Sequence, residues 1–98
     1  MNKKDKRFNE DLNMAVFTTR YVIWENSPIL FVFHFDDGYW QFSGKETNLK
    51  DDDYKTISLK NIIKIDPSVL EVADLPYDWE AHRDSIDSVW QRRKQIAP

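Results

Sequence analysis

Residues 29–44, with the sequence ILFVFHFDDGYWQFSG, constrain the fold of this chain more than any other stretch. Two apolar, aromatic runs flank the dipeptide Asp37-Gly38. Asp-Gly between such runs favours a two-residue type I′ turn, because both central residues of that turn need a positive φ angle. The sequence therefore predicts a β-hairpin with Asp37 and Gly38 at its tip.

A two-residue loop also fixes how the two strands pair. Phe35 would face Trp40, and His34 would face Gln41. Side chains alternate between the two faces of a strand. One face would then be wholly apolar and would carry Ile29, Phe31, Phe33, Phe35, Trp40 and Phe42. A three-residue loop would instead place His34 opposite Trp40 and mix the two sets, whereas a four-residue loop would keep the same sorting. The clean sorting therefore favours an even number of loop residues and predicts that the apolar face is the core.

Composition narrows the class of protein. A chain of 98 residues suits one domain, and its 14% aromatic residues are enough for a dense core. A net charge of −3 argues against a general nucleic-acid surface. The absence of cysteine excludes disulfides and thiolate metal sites and fits a reducing compartment.

Hydropathy predicts no membrane segment, because no run approaches the roughly 20 apolar residues of a membrane span. No apolar run follows the lysines near the start of the sequence, which argues against a secretory signal. We therefore expect a cytoplasmic protein without a membrane or nucleic-acid partner. The oligomeric state stays open.

The first half of the chain divides into a tail and strands. Residues 1–13 are nearly all polar and predict a flexible N-terminal tail, which leaves residues 14–98 as a single domain. Residues 14–20 alternate in the manner of a strand. Residues 21–24 are compatible with a continuation of that strand or with one helical turn, and the sequence leaves both open.

Short helices are predicted from their caps in the second half. Residues 55–59 indicate a strand, after which the hydroxyl of Ser58 can cap a helix over residues 59–65. Pro67 disfavours helical geometry at the preceding residue, so this helix should stop there. Asp66 and Pro67 then form a start signal for a second short helix that reaches residue 74.

The last part of the chain, from Asp78 onward, has a helical spacing of large side chains. Trp79, Arg83, Ile86 and Trp90 recur at three- and four-residue intervals and predict one amphipathic helix. Arg83 would lay its stem along the apolar stripe and send its charge outward. The predicted fold class is therefore α+β: a small antiparallel sheet of three to four strands from the N-terminal half, packed against C-terminal helices.

The polar end of the second hairpin face is the candidate site. It would bring together an imidazole, a carboxylate, a phenol and an amide, from His34, Asp36, Tyr39 and Gln41. Such a set suits hydrogen bonding to a protein partner, and it also allows acid–base chemistry. An ordinary solvated sheet face remains the alternative.

Motifs for other chemistry are missing from the sequence. With Gly38 and Gly44 as its only glycines, the chain has no Gly-rich phosphate loop, and it has neither G-x-S-x-G nor H-E-x-x-H. Asp51, Asp52 and Asp53 lack the D-x-D-x-D-G frame of an EF-hand loop. We expect no metal and no cofactor.

Residues 36–44, DDGYWQFSG, together with Ile57-Ser58-Leu59, Ile65-Asp66-Pro67 and Leu75-Pro76, resemble a group of small uncharacterised bacterial proteins. That group is in turn similar to an immunity-protein family of polymorphic toxin systems, whose members have a Gly-Trp-Arg-Phe strand followed shortly by Ser-Gly. The resemblance covers about residues 14–90. Here Tyr39 is inserted before Trp40, and Gln41 stands in place of the arginine.

Two functions follow as expectations. The resemblance implies a small non-catalytic module that binds and neutralises a bacterial toxin, so the expected partner is a toxin-like protein. The alternative is a small enzyme that uses His34 with Asp36 or Tyr39 as acid–base groups. A concave pocket around His34 would favour the enzyme, and a flat aromatic face of interface size would favour binding.

Overall fold

The computed structural model describes residues 6–96. Their strands are β1 (Ala15–Thr19), β2 (Phe31–His34), β3 (Trp40–Ser43), β4 (Tyr54–Ser58), β5 (Trp79–His82) and β6 (Gln91–Lys94). Two short α-helices, α1 (Arg20–Trp24) and α2 (Leu59–Ile65), and the 3₁₀ segments Asp51–Asp53 and Pro67–Val72 lie between them. Residues 1–5, the first part of the predicted tail, lie outside the described residues, as do residues 97–98.

The strands form one six-stranded mixed sheet in the order β4-β1-β3-β2-β5-β6. The pairing of β1 with β3 is parallel, and the other four pairings are antiparallel. The predicted fold of three to four N-terminal strands against C-terminal helices is therefore wrong. Strands are distributed along the whole described chain, and the two at the C-terminal end extend the sheet instead of covering it.

The β2–β3 hairpin lies where the sequence predicts it, but its register differs by one residue. His34 faces Trp40 and Phe33 faces Gln41. The Phe35 N–H donates to the Tyr39 carbonyl at 2.9 Å, and the Gly38 N–H donates to the Phe35 carbonyl at 3.0 Å. The loop is therefore a three-residue turn with a bulge at its third residue, and the predicted two-residue loop is wrong. Gly38 has a φ of 93°, which confirms the positive φ predicted for it.

The shift in register changes which side chains of β2 belong to the core. Val32, His34, Trp40 and Phe42 share the buried inner face of the sheet, and none of them is more than 3% exposed. Phe31, Phe33 and Gln41 lie on the opposite, outer face. The predicted sorting fails because both faces of this hairpin are rich in aromatic residues, so the pattern alone does not show which set is buried.

The predicted C-terminal helix is a second antiparallel pair, β5 and β6. Asp78 has a positive φ of 71°, which is incompatible with starting a right-handed helix at that residue. Trp79 and Ala81 then face inward beside His34 and Val32, while Glu80 and His82 face outward. Successive side chains of this segment therefore alternate between the two faces, as in a strand. This alternation and the backbone pairing to β2 outweigh the helical spacing of the larger side chains. Ile86, predicted to pack toward the sheet, is 52% exposed.

The short helices agree with their predicted caps. The Asn61 N–H donates to Ser58 Oγ at 3.2 Å at the start of α2. The Ser68 N–H donates to Asp66 Oδ1 at 3.0 Å at the start of the 3₁₀ helix. The open question at residues 21–24 resolves as α1, where the Thr19 hydroxyl accepts from the Val22 N–H at 3.2 Å.

These helices cover the inner face. Leu59 and Ile62 of α2, and Val69 and Val72 of the 3₁₀ helix, are fully buried at three-residue spacings. The N-terminal segment joins the same core. Phe8 is 5% exposed and packs edge-on against Trp40, with ring centroids 4.9 Å apart. The predicted boundary between tail and domain at residue 13 stays a prediction, although Phe8 shows that the core draws on residues before it.

Every helix in residues 6–96 falls short of the length and apolar character needed to cross a membrane.

Candidate functional site

The outer face of the sheet presents a cluster of aromatic side chains. None of the helices described above packs its buried side chains on this face. It carries half-exposed or exposed residues from neighbouring strands: Phe17, Phe31, Phe33, Phe35, Tyr39 and His82. Phe31 is 37% exposed and Tyr39 is 47% exposed, so the aromatic rings meet solvent with much of their area.

Three of these rings form a stack along β2, which we call the aromatic ladder: Phe31, Phe33 and Phe35. Adjacent rings are almost parallel, with interplanar angles of 8° and 5° and centroids 6.5 and 6.0 Å apart. His82 extends the ladder onto β5, 6.3 Å from Phe31. Mutual stacking holds the rings in fixed positions, so binding a partner would cost them little conformational entropy.

Two further features border the aromatic ladder. On β5 and β6, Glu80 and Arg93 form an ion pair of 2.8 Å on the outer face. On the other side, the connection from β3 to β4 leaves a groove of about 310 Å³, where Thr47 and Leu49 face Phe31 and Phe33. The outer face thus has an aromatic centre with polar borders, which is the usual anatomy of a protein–protein contact.

His34 does not belong to this surface. It is 3% exposed on the inner face, where its ring stacks on Trp40 at 3.8 Å and meets the edge of Tyr77 at 4.6 Å. Its Nδ1 lies 2.7 Å from the Leu75 carbonyl, which fixes Nδ1–H as the donor. Its Nε2 has no hydrogen-bond partner and lies 3.6 Å from Glu10 Oε2. The imidazole is therefore packed as a core group.

The four predicted site residues separate accordingly. Gln41 and Tyr39 lie on the outer face, and the Tyr39 ring is 5.8 Å from Phe17. Asp36 is exposed in the hairpin turn. His34 is enclosed on the other side of the sheet, so the predicted cross-strand pair of His34 with Gln41 is wrong. Whether Asp36, Tyr39 and Gln41 bind a partner remains a prediction.

A second concave feature lies at the end of the sheet, between the hairpin turn and the N-terminal segment. We call it the hairpin-tip cleft; its volume is about 530 Å³, and its walls are Glu10, Met14, Ala15, Asp37, Gly38, Tyr39 and Tyr77. Tyr77 is 61% exposed. Its hydroxyl lies next to the turn, because a Cβ added to Gly38 would be 3.7 Å from the Tyr77 hydroxyl oxygen. The Glu10 carboxylate is held by the Trp40 indole, whose Nε1–H donates to Oε2 at 3.0 Å.

Arg83 is a structural residue that the sequence analysis misjudged. Its guanidinium is buried, contrary to the predicted outward orientation, and its side chain is 1% exposed. It bonds Asp66 Oδ2 at 2.7 Å and the Ile29 carbonyl at 2.9 and 3.1 Å, and its charge lies 4.1 Å from the centre of the Trp90 ring. These contacts tie β5 to the 3₁₀ helix and to the start of β2. The one hint of this buried role in the sequence is a possible acidic partner, Asp66, which lies far from Arg83 along the chain.

The Asp51–Asp53 segment has a local structural explanation. Asp53 Oδ2 accepts the Lys50 N–H at 2.9 Å, and its Oδ1 lies 3.1 Å from Arg20 Nε. Within residues 6–96 no group of three histidine or carboxylate side chains is arranged to hold a metal ion. The aspartates therefore form a capped 3₁₀ turn before β4.

The strand that carries the family resemblance serves mainly the core. Trp40 and Phe42 are fully buried and stack on each other at 5.9 Å. Gly44 lies so close to Ser27 and Pro28 that an added Cβ would come within 2.5 Å of Ser27 Oγ and 2.9 Å of the Pro28 carbonyl. These contacts explain why the strand needs its aromatic pattern and its final glycine. Gln41 and Ser43, opposite Phe33 and Phe31, alternate onto the outer face.

Comparisons with known proteins give no relative from which a function could be transferred. No protein-family model matches the chain, and neither a curated protein nor a solved structure matches it. The family resemblance therefore stays a prediction, and the outer face and the hairpin-tip cleft are the two candidate sites.

Proposed function

We propose that this protein is a small non-catalytic binding module that captures a protein partner on the outer face of its sheet. The observation that carries the proposal is the aromatic ladder, which remains half-exposed although the rest of the aromatic core is covered. Large aromatic side chains supply much of the binding energy of protein interfaces when a partner buries them. An exposed cluster of such rings typically marks an interaction site.

The partner we propose is a basic protein of the toxin class, held in the immunity-type manner that the sequence resemblance implies. The turn end of the outer face carries the exposed carboxylates Asp36 and Asp37. Neither forms an ion pair with a lysine or arginine among residues 6–96. Together with the net charge of −3, these free carboxylates favour a partner with a positive rim. The toxin identity rests on the resemblance alone.

Nucleic acid is a less suitable occupant, although stacked aromatic rings on a sheet can also hold bases. Proteins that stack bases combine the rings with a positively charged groove. Here Glu80 faces Phe33 and its charge is already paired with Arg93, while the turn end is acidic. The proposal also places the protein in the cytoplasm, for which the absence of cysteine is the supporting feature.

No specific observation favours the enzyme alternative. An acid–base role for His34 with Asp36 or Tyr39 needs these groups within reach of one substrate. His34 is enclosed between Trp40 and Tyr77 on the inner face, whereas Tyr39 projects from the outer face toward Phe17.

The experiment compares outer-face variants with a remote control. The wild-type protein is used to isolate a partner from source cells, and the purified partner is then titrated calorimetrically. Tyr39→Ala and Phe31→Ser should each weaken binding by about 30-fold, the equivalent of ~2 kcal/mol. Val89→Ala, which changes a residue 77% exposed in the β5–β6 connection, should leave affinity unchanged.

Two results would contradict the proposal. One is a partner that binds both outer-face variants as tightly as it binds the wild-type protein, provided that circular dichroism shows both variants folded. The other is concentration-dependent dimerisation of the purified protein that Phe31→Ser abolishes, because the occupant of the face would then be a second copy of the chain.

A further inference from the structure

We infer that the hairpin-tip cleft is a receptor for a cationic side chain, a lysine or an arginine, presented by the partner. Its role in partner recognition rests on the proposed function, but the cleft's chemistry is argued independently. The cleft combines a concave volume of about 530 Å³ with two tyrosines and two carboxylates. Aromatic rings attract a cation through their electron-rich faces, and this is how proteins recognise alkylammonium groups.

The aromatic part of the cleft consists of Tyr39 and Tyr77, which approach it from different sides of the sheet. Tyr39 comes from the outer face, where it leans on Phe17 at 5.8 Å. Tyr77 is supported by the inner-face residue His34, at 4.6 Å, and by the turn at Gly38. Both rings are substantially exposed, at 47% and 61%. Each has a neighbour that holds its position and a surface left open to a ligand.

The acidic part consists of Glu10 and Asp37, and neither carboxylate is neutralised by a lysine or arginine among residues 6–96. Asp37 uses Oδ1 to accept the Tyr39 N–H at 3.1 Å, which leaves its other oxygen for a ligand. Glu10 accepts from the Trp40 indole at 3.0 Å. Two fixed acids beside two tyrosines give the cleft a negative potential that a basic side chain would satisfy.

A buried side chain behind the cleft also lacks a hydrogen-bond partner. His34 is 97% buried, and its Nε2 has no hydrogen-bond partner although it lies 3.6 Å from Glu10 Oε2. At 3.6 Å the contact is too long for a hydrogen bond, so His34 and Glu10 do not satisfy each other, and a lysine or arginine in the cleft would give Glu10 a charged donor.

The test uses a small probe, so it does not depend on knowing the partner. The full chain is titrated with Nα-acetyl-lysine-N-methylamide or the matching arginine amide and followed by NMR on the Gly38 amide and the ring signals of Tyr39 and Tyr77. Nα-acetyl-norleucine-N-methylamide, which has the same stem without the charge, is the matched control probe. The cationic probes should bind at least about threefold more tightly than the norleucine amide, and added salt should reduce that difference.

Two variants assign the effect to the two parts of the cleft. Tyr77→Leu keeps an apolar contact with His34 but removes the aromatic ring, and it should lower lysine affinity about threefold. Asp37→Asn keeps an oxygen to accept the Tyr39 N–H but removes the charge, and it should lower lysine affinity and leave norleucine affinity unchanged. Val89→Ala serves as the control for both.

The outcomes separate this inference from the proposed function. If the norleucine amide binds as well as the cationic probes, or if the probes shift neither tyrosine, the cleft is not a cation receptor, even where Phe31→Ser still weakens the partner. If the cationic probes bind as expected while Phe31→Ser, which changes a residue outside the cleft, leaves the partner's affinity unchanged, the cleft stands and the outer-face proposal fails.

Discussion

The two faces of the sheet are both rich in aromatic residues, but the inner face is buried and the outer face is exposed to solvent. The inner face presents Trp40 and Phe42 to a layer of helices and buries them completely. The outer face presents Phe31, Phe33 and Phe35 partly to solvent, where they stack on one another and on His82. Aromatic content therefore does not identify the core of this protein. What distinguishes the faces is the presence of a covering layer, and we attribute the uncovered one to function.

The largest expected contrast between the faces is in stability, and it can be measured with the same substitution on each. Phe42→Ala should lower the free energy of unfolding by about 3–5 kcal/mol, because it leaves a cavity beside Trp40 and Phe8 in the buried core. Phe31→Ala should lower it by about 1 kcal/mol or less, since its side chain is already 37% exposed. Urea unfolding of both variants provides the measurement. Equal losses would mean that the outer face is also structural.

Two arginines, one on each face, allow the same comparison of stability for charged side chains. Arg83→Gln on the inner side should cost about 3 kcal/mol, because it leaves Asp66 and the Ile29 carbonyl buried without their donor. Arg93→Gln on the outer face removes a pair whose arginine side chain is 60% exposed, and it should cost less than about 1 kcal/mol. Denaturant midpoints and slopes for both variants are the readout. If Arg93→Gln proved the more harmful, the outer ion pair would be part of the fold.

The hairpin turn sets which residues reach which face. Gly38→Val places a β-branched residue at a φ of 93° and should destabilise the domain by about 1–3 kcal/mol. Asp37→Asn leaves the backbone geometry and the Tyr39 acceptor in place, so it should be nearly neutral for stability. Thermal unfolding of the two variants checks this. A stable Gly38→Val protein would indicate that the loop can adopt another length.

The smallest expected effect is the pH response of an exposed pair at the border of the core. The hydrogen bond from Arg92 lowers the pKa of Asp74 below its usual value of 3.8. The stability that this pair contributes is therefore present above about pH 4, and it is lost as the pH falls through the lower folded-state pKa. Because Asp74 is 54% exposed, the contribution should be under about 0.5 kcal/mol.

Thermal melts between pH 2 and pH 6 should show a difference of under about 0.5 kcal/mol between Asp74→Asn and the wild-type protein near pH 6, and this difference should disappear at the acidic end. A difference that instead grew at low pH would mean that Asp74 is destabilising when charged, contrary to the direction of its pKa shift.

Local signals in the sequence predicted local structure well. Ser58 and Asp66 cap the helices that they were expected to cap, because capping involves only neighbouring residues. Asp37-Gly38 located the hairpin tip and the positive φ of Gly38 for the same reason. Each of these predictions needed no knowledge of which elements pack together.

The failures concern contacts between distant parts of the chain. The strand character of Trp79–His82 depends on pairing with β2, whose partner residues lie 45 to 51 positions earlier in the sequence (79 − 34 = 45 and 82 − 31 = 51). The burial of Arg83 depends likewise on Asp66 and Ile29. At the candidate site, Tyr39 and Gln41 were correctly predicted to share a face, but His34 was wrongly assigned to that face. A one-residue change of register moves His34 to the opposite face, and the register depends on the length of the turn and on which side chains the core buries.

The parallel pairing of β1 with β3 has a consequence for how the chain folds. It joins a β1–β4 unit to the larger antiparallel unit of β3, β2, β5 and β6 through the single register pair Phe17↔Gln41. The Thr18 hydroxyl donates across the same junction to the Phe42 carbonyl at 2.7 Å. Closing this junction orders the chain between Phe17 and Gln41 in return for one register pair, whereas the longer-range pairings β1–β4 and β2–β5 gain five and four register pairs. We therefore expect the junction to form late and to open first, which makes amide exchange along β1 the most sensitive report of partial unfolding.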